Sequence, residues 1–551
     1  MSSKPGAEEK DIEQHTAELS QSSSKIVLNT SGHAQEIDRT FKLLSVCALA
    51  ITIDNGWIAG SGALVVALYN GGGPGVLYEL LFSTFFYLII GTCTSELASA
   101  IPSSAGVYHW AAVTAGPKYG RVCSFYAGVW NMFAWLTACA SATLIYGNTM
   151  MAMYCLYHPG FEPQRWQIFI IFAILLWIVC LIIAFCQPYL HKIATWSVFA
   201  SLGGWVISLV LVAALPSKTG YGHATHNFVW TEWTNLTGWS SDVFVFLAGS
   251  LNGAWTIGTL DSITHMAEEM PDPRRNIPKA TFCYLAVGTI TTFSWYAVLL
   301  YAITDMSAVA DSPLTTLPLA GIFQQAARSD AGTMALLCIF FFASFPSIPG
   351  LYLTTSRILW TLGRDHALPF SDWVGRTDPK HKNPFNAAIA TGCIVTCLGL
   401  IYVGSSTAFS ALVGCFVILS LISYLAAILP NLITRRKYVR PGPFWMGDKV
   451  AYAAMGVSTC YTVVMSVIWM FPFAVPFDAA TMNYASLICG GATILITPWY
   501  MWKRHHGYMG PIVLMDAADD VQKGYVLVGE ALENDRKLRL AAEKLRSEGA
   551  H

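Results

Sequence analysis

Charge is scarce in this chain. Only 12% of its 551 residues are Asp, Glu, Lys or Arg, about half the share of an ordinary soluble domain. So few charges cannot clothe a sequence that is 54% hydrophobic, and a soluble globular fold is excluded. Net charge is −1, which gives no hint of a nucleic-acid partner. The 14 Cys lie almost wholly in or beside hydrophobic runs, where a thiol acts as a small buried side chain, so no disulfide framework is expected. No phosphate-binding loop, metal-ligand spacing or nucleophile-and-base pattern stands out. ATP-driven pumping, a bound cofactor and enzymatic chemistry are therefore not expected.

What the chain has instead is apolar blocks of about 20 residues, the length that crosses roughly 30 Å of hydrocarbon. Twelve blocks run over 42–69, 76–100, 121–154, 167–186, 193–215, 243–262, 281–303, 333–355, 387–404, 408–433, 450–475 and 484–502. A lipid core offers no water to the backbone, so each block is predicted to be helical except where it lines a cavity. The expectation is an all-α membrane protein, with a transmembrane domain over 42–502 and cytosolic tails over 1–41 and 503–551.

An even number of spans puts both tails on one side. With that side cytosolic, all but Arg165, Lys218 and Arg328 of the 32 Lys and Arg stay inside, as basic loops do. The Asn235-Leu236-Thr237 sequon then lies outside, where it can accept a glycan, and Asn29-Thr30-Ser31 lies inside. Residues 1–41 are rich in Ser, Glu and Lys without an apolar core, so the first span is expected to act as the insertion signal. Leu538, Ala541, Ala542 and Leu545 share one helical face, predicting a short amphipathic helix in the second tail.

Two blocks are interrupted by glycine at matching places. Gly56, Gly60 and Gly62 punctuate the first, and Gly249, Gly253 and Gly258 the sixth. In secondary transporters such interruptions expose backbone groups at mid-membrane, where a small solute is held. The alternative use of the same small residues is close helix packing.

Three stretches carry more than hydropathy: SELASAIPSSAGVYHW (Ser95 to Trp110), NGAWTIGTLDSITHMAEEMPDPRRNIPKA (Asn252 to Ala280) and SRILWTLGRDHALP (Ser356 to Pro369). Glu96, Pro102, Gly106 and Tyr108 follow an E-x5-P-x-x-G-x-Y pattern. Asp261, His265, Glu268 and Glu269 precede Pro273, Arg274, Arg275 and Pro278 in a second pattern. Together these resemble the amino-acid/polyamine/organocation (APC) superfamily, and within it the fungal amino-acid, GABA and choline permeases. HPGFEPQRW (His158 to Trp166) and Met482-Asn483-Tyr484 look closer to choline permeases. The resemblance covers about residues 40–502. It implies a LeuT-like 5+5 inverted repeat, spans one to five and six to ten, with two extra helices and the substrate between broken spans one and six. The break in span one aligns to Gly56 or to Gly60-Ser61-Gly62.

The substrate site is therefore expected at Asp54, Asn55, Gly56, Trp57, Gly60, Ser61, Gly62, Trp130, Asn252, Gly253 and Trp255. Exposed helix ends suit a zwitterion, and indole faces suit an ammonium. Trp135, also mid-span, is a further aromatic candidate. Asp54 is a carboxyl deep in a span, a position that needs a reason: it attracts a quaternary ammonium, carries a coupling proton or bonds a neighbouring helix. Glu96, Asp261, His265 and Glu268 are expected in a gate and coupling network near the cytoplasmic helix ends, with His265 one turn beyond Asp261.

The reading is a plasma-membrane secondary transporter, importing choline, GABA or an amino acid by alternating access with a co-transported proton. Its partners are the solute, the proton and the lipid bilayer. A nutrient sensor of transporter fold is the alternative. A channel and a membrane enzyme fit the broken pair less well.

Overall fold

The structure is a computed structural model, which describes residues 37, 39–220, 222–310, 317–378, 382–479 and 482–511. The helix expected around Leu538 lies outside these. Arg39–Pro511 form one compact unit. Among the described residues it is all helical, with two isolated bridges, Asn70 to Asn235 and Asp378 to Asn383.

The first apolar block becomes α1 (Leu43–Asp54) and α2 (Gly56–Leu68). α3 (Gly72–Ala100), a short α4 (Val107–Thr114) and α5 (Gly116–Tyr157) follow. At 42 residues, α5 is about 60 Å long, twice the hydrocarbon thickness. Next come α6 (Arg165–Phe185), α7 (Leu190–Lys218), the small α8 (His226–Trp230) and α9 (Asp242–Thr256). Ser241 starts α9 by accepting from the Phe244 N–H at 3.3 Å, satisfying an amide that has no partner inside the helix.

The chain continues through α10 (Pro273–Ala302), α11 (Met306–Ala310), α12 (Pro318–Ala327), α13 (Asp330–Ser344) and α14 (Ile348–Arg364). A 3₁₀ turn at Phe345–Ser347 joins the last two, because Pro346 cannot continue an α-helical ladder. α15 (Ser371–Val374), α16 (Phe385–Gly404), α17 (Ser406–Ile433), α18 (Asp448–Ile468) and α19 (Ala485–His505) complete the bundle. α5 packs along α17, and α3 lies against α9 and α10.

Among the described residues, ten helical runs are long and apolar enough to cross a membrane, and the protein is a multi-pass membrane protein. Two of the twelve predicted blocks fall short of that measure. Block 243–262 yields only the 15 residues of α9 before the chain leaves the helix at Ile257. Block 484–502 becomes α19, whose last turn carries Lys503, Arg504 and His505.

Loops group on two faces. On one, Gly71 N–H bonds the Thr234 carbonyl at 3.0 Å and Val475 N–H bonds that of Thr237 at 2.7 Å. The Asn235 side-chain amide donates to the Trp239 carbonyl at 2.8 Å and to Asp242 at 3.2 Å, so a glycan at this sequon requires the loop to open. On the other face, Phe41 N–H bonds the Glu269 carbonyl at 3.1 Å. Tyr508, fully buried, reaches the Tyr108 hydroxyl at 3.2 Å. Both ends of the compact unit thus pack on the face that carries the Glu268 and Glu269 segment.

Candidate functional site

The two interrupted stretches meet. In the first, the break is a single residue: Asn55 takes a left-handed conformation, φ 38° and ψ 50°, which Asn tolerates better than most side chains. Its side chain fixes the kink, donating to Ser347 Oγ at 3.1 Å and accepting from Ser201 Oγ at 2.8 Å. Helix resumes at once in α2. The second break is longer. After Thr256 the chain runs non-helically to Ile263 and then forms a 3₁₀ segment, Thr264–Glu269. A Cβ added at Gly56 would lie 2.7 Å from the Thr256 carbonyl oxygen, so the absence of a side chain lets the two breaks touch.

The structure thus puts the span-one break at Asn55-Gly56. Gly60 and Gly62 lie inside α2, where they admit the Tyr296 ring and the Ile145 side chain. Gly249 and Gly253 serve packing as well: α9 closes onto α3 so that a Cβ at Gly253 would meet the Glu79 carbonyl oxygen and Leu80 Cα at 2.8 Å.

Where the breaks meet lies a cavity of about 50 Å³ whose walls include Asp54, Asn55, Tyr146, Trp255, Thr259 and Phe416. Ligand pockets begin at roughly 300 Å³. This conformation is contracted, and a small organic solute enters only after rearrangement. Asp54 is buried; its Oδ1 accepts from Thr259 Oγ1 at 3.0 Å, while Oδ2 has no hydrogen-bond partner among the described residues. Trp255 donates to the Ala59 carbonyl at 3.2 Å and stands edge-on to Phe416 at 5.4 Å.

Other expected site residues lie elsewhere. Trp57 does not line the cavity; it packs between Trp295 at 5.4 Å and Phe340 at 5.7 Å, its N–H on Ser201. Ser61 accepts from Trp295 Nε1 at 2.7 Å and donates to the Trp57 carbonyl at 2.6 Å, bracing the same cluster. Trp130 donates to Thr493 of α19 at 3.0 Å. Asn252, half-buried, and Gly253, buried, sit on α9 outside the lining.

A polar belt lies between the cavity and the Phe41 face. Asp261, wholly buried, is reached by Tyr424 and Asn131 at 2.6 Å each, His265 Nε2 at 3.0 Å and Trp135 Nε1 at 3.3 Å. Glu268 pairs with Arg364 at 2.9 Å and accepts from Ser104 Oγ. Glu96 pairs with Arg436 at 2.8 Å and accepts from the Met446 N–H at 2.8 Å. Glu269 pairs with Arg357 at 2.6 Å, and Gln187 links the two.

Sequence reasoning left three features unassigned. Arg357 stood in a quoted motif without a role. Tyr146 and Phe416 carry no signal that separates them from other apolar positions. Glu79 is 1% exposed, with neither carboxyl oxygen partnered among the described residues; its signal was a lone charge four residues into an apolar block.

A choline transporter of Saccharomyces cerevisiae is 29% identical over 98% of this chain and 94% of its own length. A GABA-specific permease of the same yeast is 28% identical over 87% of this chain and 84% of its own, and an amino-acid permease of Arabidopsis thaliana is 26% identical over 89% and 96%. The amino acid permease family model matches residues 41–494, nearly the whole compact unit, and the chain belongs to that family.

Proposed function

We propose that the protein imports a small amine-bearing solute, choline, GABA or an amino acid, across the plasma membrane by alternating access with a proton. The observation that carries this reading is the cavity at the joined breaks, lined by Asp54 together with Tyr146, Trp255 and Phe416, where Asp54 Oδ2 has no hydrogen-bond partner among the described residues. A carboxyl in an apolar, aromatic-walled space suits an ammonium group, which gains from aromatic faces as well as from charge.

The loop face with Phe41, Tyr508 and most basic residues is assigned to the cytosol. The buried pairs Glu96–Arg436, Glu268–Arg364 and Glu269–Arg357 then close the cytosolic side, and their parting opens the site inward. Spans one to five and six to ten form the two repeat units, each led by a broken stretch, with the last two spans outside them. A proton moving inward gains about 2.3 kcal/mol per 100 mV of membrane potential, enough to concentrate the solute.

The test is counterflow in vesicles holding the purified full chain, with labelled choline, GABA and a set of amino acids, with and without a pH gradient. Saturable exchange of at least one solute is expected. Flux that never saturates would point to a channel, and binding without flux to a sensor.

A further inference from the structure

The belt around Asp261 contains a hydrogen-bond arrangement that closes only if it holds a mobile proton. His265 Nδ1 is 2.8 Å from the Ser104 carbonyl oxygen. A carbonyl can only accept, so Nδ1 carries a hydrogen. The ring's Nε2 is 3.0 Å from Asp261 Oδ2. That same oxygen receives Asn131 Nδ2 at 2.6 Å and Trp135 Nε1 at 3.3 Å, groups that can only donate here, and Tyr424 supplies Oδ1 at 2.6 Å. Surrounded by donors, Asp261 is an acceptor, the carboxylate. The Nε2–Oδ2 contact then closes on one shared proton, and the fixed donors on Asp261 favour its place on Nε2, as an imidazolium beside a carboxylate. Both ring nitrogens face polar partners, so the ring orientation is determined by the same geometry.

We propose that the Asp261 and His265 pair is the site that carries the coupling proton, and that Ser104 transmits its state to the gate. This deepens the transport reading and rests on it. Release of the proton turns the imidazolium into neutral imidazole, and the proton leaves to cytosolic water. Neutral His265 cannot donate to both the Ser104 carbonyl and Asp261, so one contact is lost.

Both ends of this relay are tied to moving parts. Ser104 also donates through Oγ to Glu268, which holds Arg364. Asp261 sits two residues after Thr259, the partner of Asp54, and Trp135 touches Phe416 of the cavity wall at 5.8 Å. Cavity, proton and gate therefore share the non-helical segment between Thr256 and Thr264. The other titratable groups turned toward the pair are Tyr424 of α17, Tyr284 of α10 and, behind them, Tyr87 of α3; Glu268 and Arg364 lie one turn on. The only carboxylate in direct contact with the His265 ring among the described residues is Asp261.

The experiment compares full-length protein with its His265→Gln variant in vesicles, using labelled choline, GABA and amino acids as probes. Gln keeps polar contacts but cannot carry the proton. Uptake driven by an imposed pH gradient should fall about tenfold or more relative to counterflow measured in the same variant, a coupling worth about 1.4 kcal/mol. Gradient-driven uptake at the wild-type level in the variant overturns the proposal and leaves the transport reading standing. Absence of counterflow for every probe in the wild type removes the transport reading itself.

A second measurement does not depend on transport. In protein labelled with ¹⁵N-histidine, the signals missing from His265→Gln belong to His265. Both of its ring nitrogens should be protonated in the resting protein, as the two contacts require. A bare ring nitrogen there overturns the proposal.

Discussion

Asp54 and Asp261 invite comparison. Each lies at a break in an apolar stretch, and each is buried, 5% and 0% exposed. Yet Asp261 is met by three fixed donors and by His265 Nε2, while Asp54 is met by one donor and keeps an oxygen without a partner among the described residues. A buried charge costs several kcal/mol unless it is compensated. Asp261 is compensated by the fold, so its task is internal to the protein. On the proposed reading, Asp54 is compensated by the ammonium group of the solute. The carboxylates of the belt follow the first pattern: Glu96, Glu268 and Glu269 each hold an Arg.

The severest way to break this contrast is on the compensated side. Arg357→Ala leaves Glu269 buried without its cation, and removal of one partner from such a pair costs about 3–5 kcal/mol. The purified variant should melt far below the wild type, and Arg357→Met combined with Glu269→Gln should recover much of the loss. If Arg357→Ala melts normally, the belt is not the compensated frame described here.

Asp54→Asn and Asp261→Asn sharpen the comparison directly. The first preserves shape and removes the charge facing the cavity, so choline binding should weaken by about 2 kcal/mol or more. A zwitterion, whose own carboxylate Asp54 repels, should lose less. Asp261→Asn, like Glu96→Ala, should lower the transport rate and leave binding nearly intact, because neither group reaches the cavity wall. Equal losses of binding at Asp54 and Asp261 would erase the distinction between them.

Much of this was legible in the sequence, for identifiable reasons. Hydropathy revealed the spans because lipid demands them, and motifs around Glu96 and Asp261 revealed the family. The sites of the breaks were harder. Glycine serves both as an interruption and as a packing surface, and only three-dimensional neighbours tell them apart: Gly56 meets the Thr256 carbonyl, where the other break begins, as well as the Thr292 side chain, whereas Gly60 and Gly62 meet side chains alone. Trp57 and Trp255 looked equivalent beside their glycines. One turns into a cluster with Trp295 and Phe340, and the other faces the cavity, a difference of helix face that no local pattern encodes.

Those two indoles give the next test. Trp255→Leu should weaken binding of a quaternary ammonium by about 0.5–2 kcal/mol, the range of a cation–π contact. Trp57→Leu should reduce thermal stability through lost packing while leaving affinity in place. A reversed outcome would move the binding site toward α7 and α13.

The smallest effect is expected at Trp130. It is an intramembrane Trp like the others, but its N–H is spent on Thr493 of α19 and its ring lies 5.5 Å from Tyr126, away from both the cavity and the belt. Trp130→Phe keeps the aromatic body and deletes one neutral hydrogen bond, worth about 0.5–1.5 kcal/mol. The melting temperature should drop slightly, and uptake, affinity and response to a pH gradient should match the wild type. A clear loss of affinity in this variant would mean that α19 contributes to the site, and the cavity at the joined breaks would then be only part of it.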